Sequence, residues 1–173
     1  MDGVGVLKSA FGGAHMWYRG TVADVSAAQA NTVPPGVVHP ISELMAHILH
    51  CEDFMVNTAI QGNRPLWERD GWGAKLGGEM IVDLPIPVKG RAYEYDRKAM
   101  SEYAEAVFAS TDAFLDRLKD SDCERELELV QFGLPNNMSL GTFLTTMLLG
   151  NTYAHTGEIS ALKGWLGAKG YPF

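Results

Sequence analysis

The chain has 173 residues, 46% of them hydrophobic and 20% charged, so we expect a single globular domain over residues 1–173 with a core of its own. Its formal net charge of −7 leaves no basic surface for phosphates, which argues against nucleic acids and membranes as partners. No apolar run approaches the roughly 18 residues that span a bilayer, and the first residues lack a signal-peptide pattern, so we expect a cytoplasmic protein.

Four long segments have the apolar spacing of amphipathic helices, with apolar residues three and four positions apart. These segments cover about residues 3–20, 41–61, 96–119 and 140–166. A shorter helix is predicted at 23–30. Gly62 and Gly167 suit the position after a helix end, and Ser139 suits the position before a helix start.

Residues 62–95 join the second and third long helices and are too rich in Gly and Pro to form one helix. A lid and a pair of strands are the two alternatives for this crossover. Residues 78–88 and 124–130 have the pattern of short strands, and we predict that they pair as a small hairpin. Four helices with a long middle crossover indicate an all-α four-helix bundle.

Polar residues interrupt the apolar stripe of the fourth long helix when its residues are placed at about 100° intervals. Asn151, His155 and Glu158 fall on the stripe, which is formed by Leu140, Phe143, Leu144, Met147, Ala154, Leu162 and Trp165. The threonines at 145, 152 and 156 fall on the opposite side, where they are expected to be solvated. The pattern therefore predicts three polar side chains inside the bundle.

The first and second helices supply further inward polar residues. His15 lies in the middle of the first helix's stripe, and Glu52 lies near the centre of the second helix's stripe. A buried carboxylate is costly unless it meets a cation or takes up a proton. His47 lies at the edge of the apolar arc, whereas His50 shares a polar face with Asp53.

Helical bundles build metal sites from side chains that project inward from facing helices. Two neutral imidazoles with oxygen donors suit Zn²⁺, Ni²⁺, Fe²⁺ or Mn²⁺, and the two cysteines do not form the thiolate pair of a structural zinc site. The alternative is that these residues are hydrogen-bonded members of the core, with Glu158 paired to His15 or Lys163 and Glu52 paired to an arginine.

Two segments, PISELMAHILHCEDF and NTYAHTGEISALKGWLGAKGYP, resemble those of the DinB-like superfamily. The resemblance implies a bundle in which a histidine of the second helix and an HxxxHxGQ/E segment of the fourth supply three metal-binding histidines. His47 and His155 match two of these ligands, and Asn151 stands where the third histidine is expected. An amide oxygen binds such ions less well than an imidazole does, so we expect a retained but weakened site for Zn²⁺ or Ni²⁺.

The resemblance also implies function. Relatives include thiol-dependent isomerases and S-transferases, so we expect a small-molecule substrate and a low-molecular-weight thiol co-substrate, with Glu158 or Glu52 moving the proton. A metal-dependent hydrolase is the alternative enzyme. A third alternative is a non-catalytic bundle that binds a small ligand or dimerises and keeps a degenerate metal site. Because relatives are often dimeric, a homodimer is expected.

Overall fold

A computed structural model describes residues 2–36, 38–82 and 96–173 of the chain. The α-helices, numbered in chain order, are α1 Gly3–Val22, α2 Ala27–Asn31, α3 Ile41–Asp53, α4 Leu66–Arg69, α5 Trp72–Leu76, α6 Arg97–Leu115, α7 Leu140–Thr142 and α8 Leu149–Trp165. Two π-helical segments continue these helices: Phe54–Ile60 extends α3, and Phe143–Leu148 joins α7 to α8. Single 3-10 turns cover Asp120–Glu124 and Val130–Phe132.

Four of the helices form a closed bundle. Helix α1 packs on α6 and α8, and α3 packs on the same two helices, so each of the four contacts two neighbours. The buried apolar side chains of the described residues fall into two clusters, one toward each end of the bundle. The predicted all-α four-helix bundle is confirmed.

The helix boundaries follow the capping residues. The side chain of Ser139 accepts a hydrogen bond from the backbone N–H of Thr142 at 3.3 Å, which confirms the predicted start of the last long helix. Asp2 caps α1 in the same way at 2.7 Å. Gly62 and Gly167 both have positive φ angles, of 70° and 79°, after the two helices they were predicted to follow.

The crossover between α3 and α6 is described up to Val82, and its described part contains the short helices α4 and α5. Trp67 and Trp72, on these short helices, are buried in the core against α3 and α6. Of the predicted strand at 78–88, the described part, Gly78–Val82, is not in a strand, and the rest lies outside the described residues.

A small antiparallel sheet is present between α6 and α7. Its strands are β1, Glu126–Leu127, and β2, Met138–Ser139, with Glu126 opposite Ser139. The prediction of a small two-stranded element is confirmed, but Glu126–Leu127 pairs with Met138–Ser139 and not with the described part of residues 78–88. A local turn makes the nearer pairing possible: the side chain of Asn137 accepts hydrogen bonds from the N–H groups of Leu129 and Val130, at 2.9 and 3.3 Å.

The buried face of α8 lies one residue further along the chain than α-helical spacing predicts. Thr152 and Thr156 are 2% and 1% exposed, whereas Ala154 is exposed and Trp165 is 55% exposed. The cause is the π-helical segment Phe143–Leu148, since each i→i+5 turn takes up one residue more than an α-turn. The prediction that Thr152 and Thr156 are solvated is wrong, and the burial predicted for Ala154 and Trp165 is wrong too.

Within the described ranges, none of the helices is long and apolar enough to cross a membrane.

Candidate metal centre

His47 is fully buried on α3, and its ring is held from one side. Its Nδ1 lies 3.1 Å from the carbonyl oxygen of Ile81, at the end of the described crossover. A carbonyl oxygen can only accept, so Nδ1 carries the proton in this hydrogen bond. In the neutral ring the lone pair is then on Nε2, which faces α8.

His155 is held in the same way by a residue of its own helix. Its Nδ1 lies 2.9 Å from Oε2 of Glu158, one turn along α8. The carboxylate accepts a hydrogen bond from Nδ1–H, and in the tautomer with the proton on Nδ1 the lone pair is on Nε2. The His155 side chain is 18% exposed and that of Glu158 is 53% exposed. The predicted burial of Glu158 is therefore wrong, because the π-helical segment turns this position toward solvent.

The rings of His47 and His155 meet across the interface between α3 and α8. Their centroids are 4.9 Å apart and their planes are perpendicular. Asn151, one turn before His155, brings its Oδ1 to 3.2 Å from Nε2 of His47. The structure therefore brings together the three residues predicted as metal ligands, although His47 is more than 100 positions from the other two in the chain.

The contact between Asn151 and His47 provides a test of whether an ion fits. Two acceptors that face each other at 3.2 Å repel, unless the amide turns its NH₂ group toward the ring or a cation lies between them. Ligands about 2.0–2.1 Å from one ion are about 3.2 Å apart when they subtend an angle of about 100°, which suits a tetrahedral or octahedral ion. The spacing of Oδ1 and Nε2 therefore fits a divalent ion between them, and it equally fits an amide that donates to the ring from its NH₂ group.

Burial keeps His47 neutral. Loss of solvent, together with the nearby His155, lowers the pKa of His47 from 6.5 to about 4, although the oxygens of Ile81 and Asn151, which can both accept from the protonated ring, act in the opposite direction. A histidine must be neutral to bind a metal. At neutral pH the ring is thus already in the form that a metal requires.

The site is also poor in strong ligands. Over the described part of the chain, no three His, Cys, Asp or Glu residues lie close enough together to hold a metal ion. The centre has two imidazoles and an amide, and an amide oxygen is a weaker ligand than imidazole for Zn²⁺ or Ni²⁺. Metal binding, weak or strong, therefore stays a prediction at this site.

A cavity of about 480 Å³ adjoins this centre. Cys51 and Asn151 contribute to its wall, and Sγ of Cys51 lies 3.5 Å from Nδ1 and 3.5 Å from Nε2 of His47. The rest of the described wall is mainly apolar. A molecule in this cavity would therefore have one end beside the histidine pair.

Glu52, the second residue predicted to be catalytic, belongs to a different cluster. Its Oε1 lies 2.9 Å from Nε2 of His15 and accepts a hydrogen bond from Thr111 at 2.6 Å. All three residues are buried, as predicted for His15 and Glu52. The predicted pairing of Glu52 with an arginine is replaced by this contact with α1, and a catalytic role for Glu52 stays a prediction.

Two buried residues of α3 that hold the crossover were not predicted from the sequence. Asp53 accepts hydrogen bonds from the N–H groups of Leu66 and Trp67, at 2.8 and 2.9 Å, and from the Tyr103 hydroxyl at 2.7 Å. Burial raises the pKa of its carboxyl, whereas these hydrogen bonds lower it. His50 is 1% exposed rather than on a solvated face, because the crossover covers it.

Three comparisons with known proteins bear on this fold. A family model described as the DinB superfamily matches residues 11–159. The chain is also similar to a solved structure described as the conserved protein of locus from Enterococcus faecalis, with a TM-score of 0.76 and 20% sequence identity. That match covers 96% of this chain and 99% of the other and supports the fold. No curated protein matches the chain.

Proposed function

The chain belongs to the DinB superfamily, and on that basis we propose that it is an enzyme that uses a divalent ion, Zn²⁺ or Ni²⁺, held by His47, Asn151 and His155. Its proposed reaction joins a low-molecular-weight thiol to a small electrophile, or isomerises the thiol adduct. Hydrolysis at the same centre is the alternative.

One observation carries most of this proposal. In both histidines Nδ1 is engaged by an acceptor, the carbonyl of Ile81 for His47 and the carboxylate of Glu158 for His155. Metal-binding histidines characteristically donate their second ring N–H to a carbonyl or carboxylate, which fixes the tautomer and ring orientation. Two histidines that contact each other and share this arrangement therefore support a metal site over the alternative, in which each is only a hydrogen-bonded member of the core.

A bound ion would stabilise a thiolate or lower the pKa of water, giving a nucleophile near neutral pH. The residues of the chain have separate roles. The Ile81 carbonyl and Glu158 hold the two rings in place, and the cavity lined by Cys51 and Asn151 holds the electrophile away from water. Glu158, exposed and one hydrogen bond from His155, is the group we assign to exchange protons with solvent.

Metal content is the first test. We expect protein purified without a tag or chelator to contain Zn or Ni by elemental analysis, and His155→Ala to lose it. His39→Ala is the matched control, because His39 is paired with Glu43 outside the site and its loss should leave the metal in place. Absence of any first-row metal, even after incubation with excess ion, would contradict the proposal and favour a non-catalytic bundle.

The second test separates the two reactions. Neutral electrophiles are incubated with the loaded protein and several cellular thiols, and ester and amide substrates are tested in parallel without thiol. Thiol consumption that depends on His155 supports the transferase, and thiol-independent hydrolysis with the same dependence supports the hydrolase. Neither reaction above the His155→Ala background would contradict an enzymatic role.

We propose in addition that the chain forms a homodimer. Trp165 and Phe173 leave apolar area at the surface, 55% and 68% exposed, which a second copy would cover. Light scattering at micromolar concentration distinguishes this dimer from a monomer.

A further inference from the structure

We propose that the cavity beside the histidine pair takes an uncharged organic molecule with an aromatic body and one hydrogen-bonding group, the latter placed at Asn151. This inference rests on the proposed function in treating that molecule as the substrate of the ion site. The binding test below does not depend on the ion.

The cavity is bounded by the two π-helical segments. Phe54 and Met55 belong to the segment that extends α3, and Phe143, Met147 and Leu148 belong to the one that joins α7 to α8. Residues 132–135, which begin with the last residue of the 3-10 turn Val130–Phe132, form another part of the wall. π-Helical turns are rare and occur frequently at functional sites, and here both of them line one space.

The volume suits a small organic molecule. About 480 Å³ lies within the range of about 300–1,000 Å³ that is typical of small-molecule sites. Met147 is half-buried, and the cavity is partly open to solvent, so a ligand can enter without unfolding of a helix.

The lining favours a ring over a charged or strongly polar group. Phe54 and Phe132 both line the cavity, and their rings pack edge to face against each other with centroids 5.7 Å apart, so this part of the wall is aromatic. Met55 and Met147 add thioethers, which contact aromatic rings favourably.

Charge is excluded by the same wall. Among the described lining residues none is Asp, Glu, Lys, Arg or His. A charged group placed there would lose its hydration without gaining a partner. The charged parts of any co-substrate must therefore stay outside the cavity.

Orientation follows from the polar end of the cavity. Asn151 is the amide in the described wall, and it contacts Nε2 of His47. A carbonyl or amine of the guest that meets Asn151 would lie next to the ion site, while the ring lies among the phenylalanine and methionine side chains. The reacting group is therefore placed at the end of the molecule rather than in its middle.

The test uses two fluorescent probes with the same ring system. N-phenyl-1-naphthylamine is neutral, and 8-anilinonaphthalene-1-sulfonate carries a sulfonate. We expect the neutral probe to bind the full chain saturably with one site, and the sulfonate to bind at least about tenfold more weakly. Absence of saturable binding, or equal binding of the two probes, would overturn the inference.

Variants locate the probe. Met147→Trp fills the cavity and should weaken binding of the neutral probe at least about tenfold. Met16→Trp is the matched control, because Met16 is 61% exposed and lies outside the cavity wall, and its binding should stay within about twofold of wild type. Val82→Trp, from another part of the wall, repeats the test if Met147→Trp does not fold by circular dichroism. Unchanged binding in a folded cavity variant would show that the probe binds elsewhere.

Titrations before and after chelation separate this inference from the proposed function. If the probe binds before and after chelation and elemental analysis finds no metal in the protein, the inference about the cavity is supported and the proposed metal-dependent function is contradicted. Metal bound by His155 without any probe binding leaves the proposed function standing and overturns the inference.

Discussion

His47 and His50 lie one turn apart on α3 and hydrogen-bond to the carbonyl and the N–H of the same residue, Ile81. The N–H of Ile81 donates to Nδ1 of His50 at 2.7 Å, and its carbonyl accepts from Nδ1 of His47 at 3.1 Å. The orientation of a candidate metal ligand therefore depends on a histidine that does not touch the ion site.

We expect His50→Ala to weaken metal binding about tenfold, because Ile81 loses the acceptor that fixes its carbonyl over His47. Titration with Zn²⁺ in competition with a chromophoric chelator measures the change. His39→Ala should bind as wild type does. An affinity of His50→Ala equal to that of wild type would mean that the crossover does not position His47.

Asn151→His is expected to raise the affinity for Zn²⁺ or Ni²⁺ at least about tenfold, because imidazole is a better ligand than an amide oxygen for these ions. Asn151→Leu should lower it. Calorimetric titration of the two variants and the wild type gives the comparison. If the histidine variant bound no more tightly than wild type, Asn151 would not face the ion.

Glu52→Ala is expected to lower the free energy of unfolding by about 2–4 kcal/mol without changing metal content. The variant leaves the hydrogen-bonding groups of His15 and Thr111 buried without their acceptor. Urea denaturation measures the loss, and Glu52→Gln, which keeps an acceptor, should lose less. A stable Glu52→Ala that lacks activity would instead support the catalytic role predicted from the sequence.

The metal-free protein should lose stability as the pH falls from about 6.5 to about 4 in part through His47. The pKa of His47 is about 4 in the folded chain and 6.5 as a model value, so in this window the unfolded chain binds more protons. The pKa shift of His47 contributes its full stabilisation of the folded chain above pH 6.5, and this stabilisation amounts to about 3 kcal/mol at most.

His47→Leu removes the titrating ring and with it this pH-dependent stabilisation. The carboxyl groups elsewhere in the chain change the unfolding free energy of the wild type and of the variant equally as the pH falls. The measurement is therefore the difference in unfolding free energy between wild type and His47→Leu at pH 7 and pH 4.5. A difference that does not change between the two pH values would contradict the buried, neutral ring.

The bundle and the starts of its long helices could be predicted because they depend on local apolar spacing and on capping residues, whereas the convergence of His47 with His155 was implied by the resemblance to the DinB-like superfamily. The phase of α8 could not, since nothing in the composition of Phe143–Leu148 marks an i→i+5 turn. Regular α-helical spacing therefore places Asn151, His155 and Glu158 on the buried face, whereas the structure buries Thr152, Thr156 and Ile159 there.

The crossover was the second failure. Asp53 and His50 lie on a face of α3 that α-helical spacing marks as polar, and it is buried because α4, α5 and Ile81 cover it. In the crossover they bind the backbone N–H groups of Leu66, Trp67 and Ile81, and since every sequence supplies such groups, no residue pattern indicates these contacts. The one sequence signal for this contact is that His50 and Asp53, two residues able to accept hydrogen bonds, lie three positions apart on the same face of α3.

The π-helical turn before α8 holds one residue more than an α-helical turn and forms a bulge in the helix. The bulge shapes the cavity wall and also sets the direction in which the later side chains of α8 point. Deleting the exposed Thr146 would let α7 and α8 join as one regular helix while every later side chain keeps its direction. Asn151 and His155 would still meet His47, but the bulged wall of the cavity would be gone. The contact among His47, Asn151 and His155 and the shape of the cavity would thus change independently, through the length of the chain rather than through substitution.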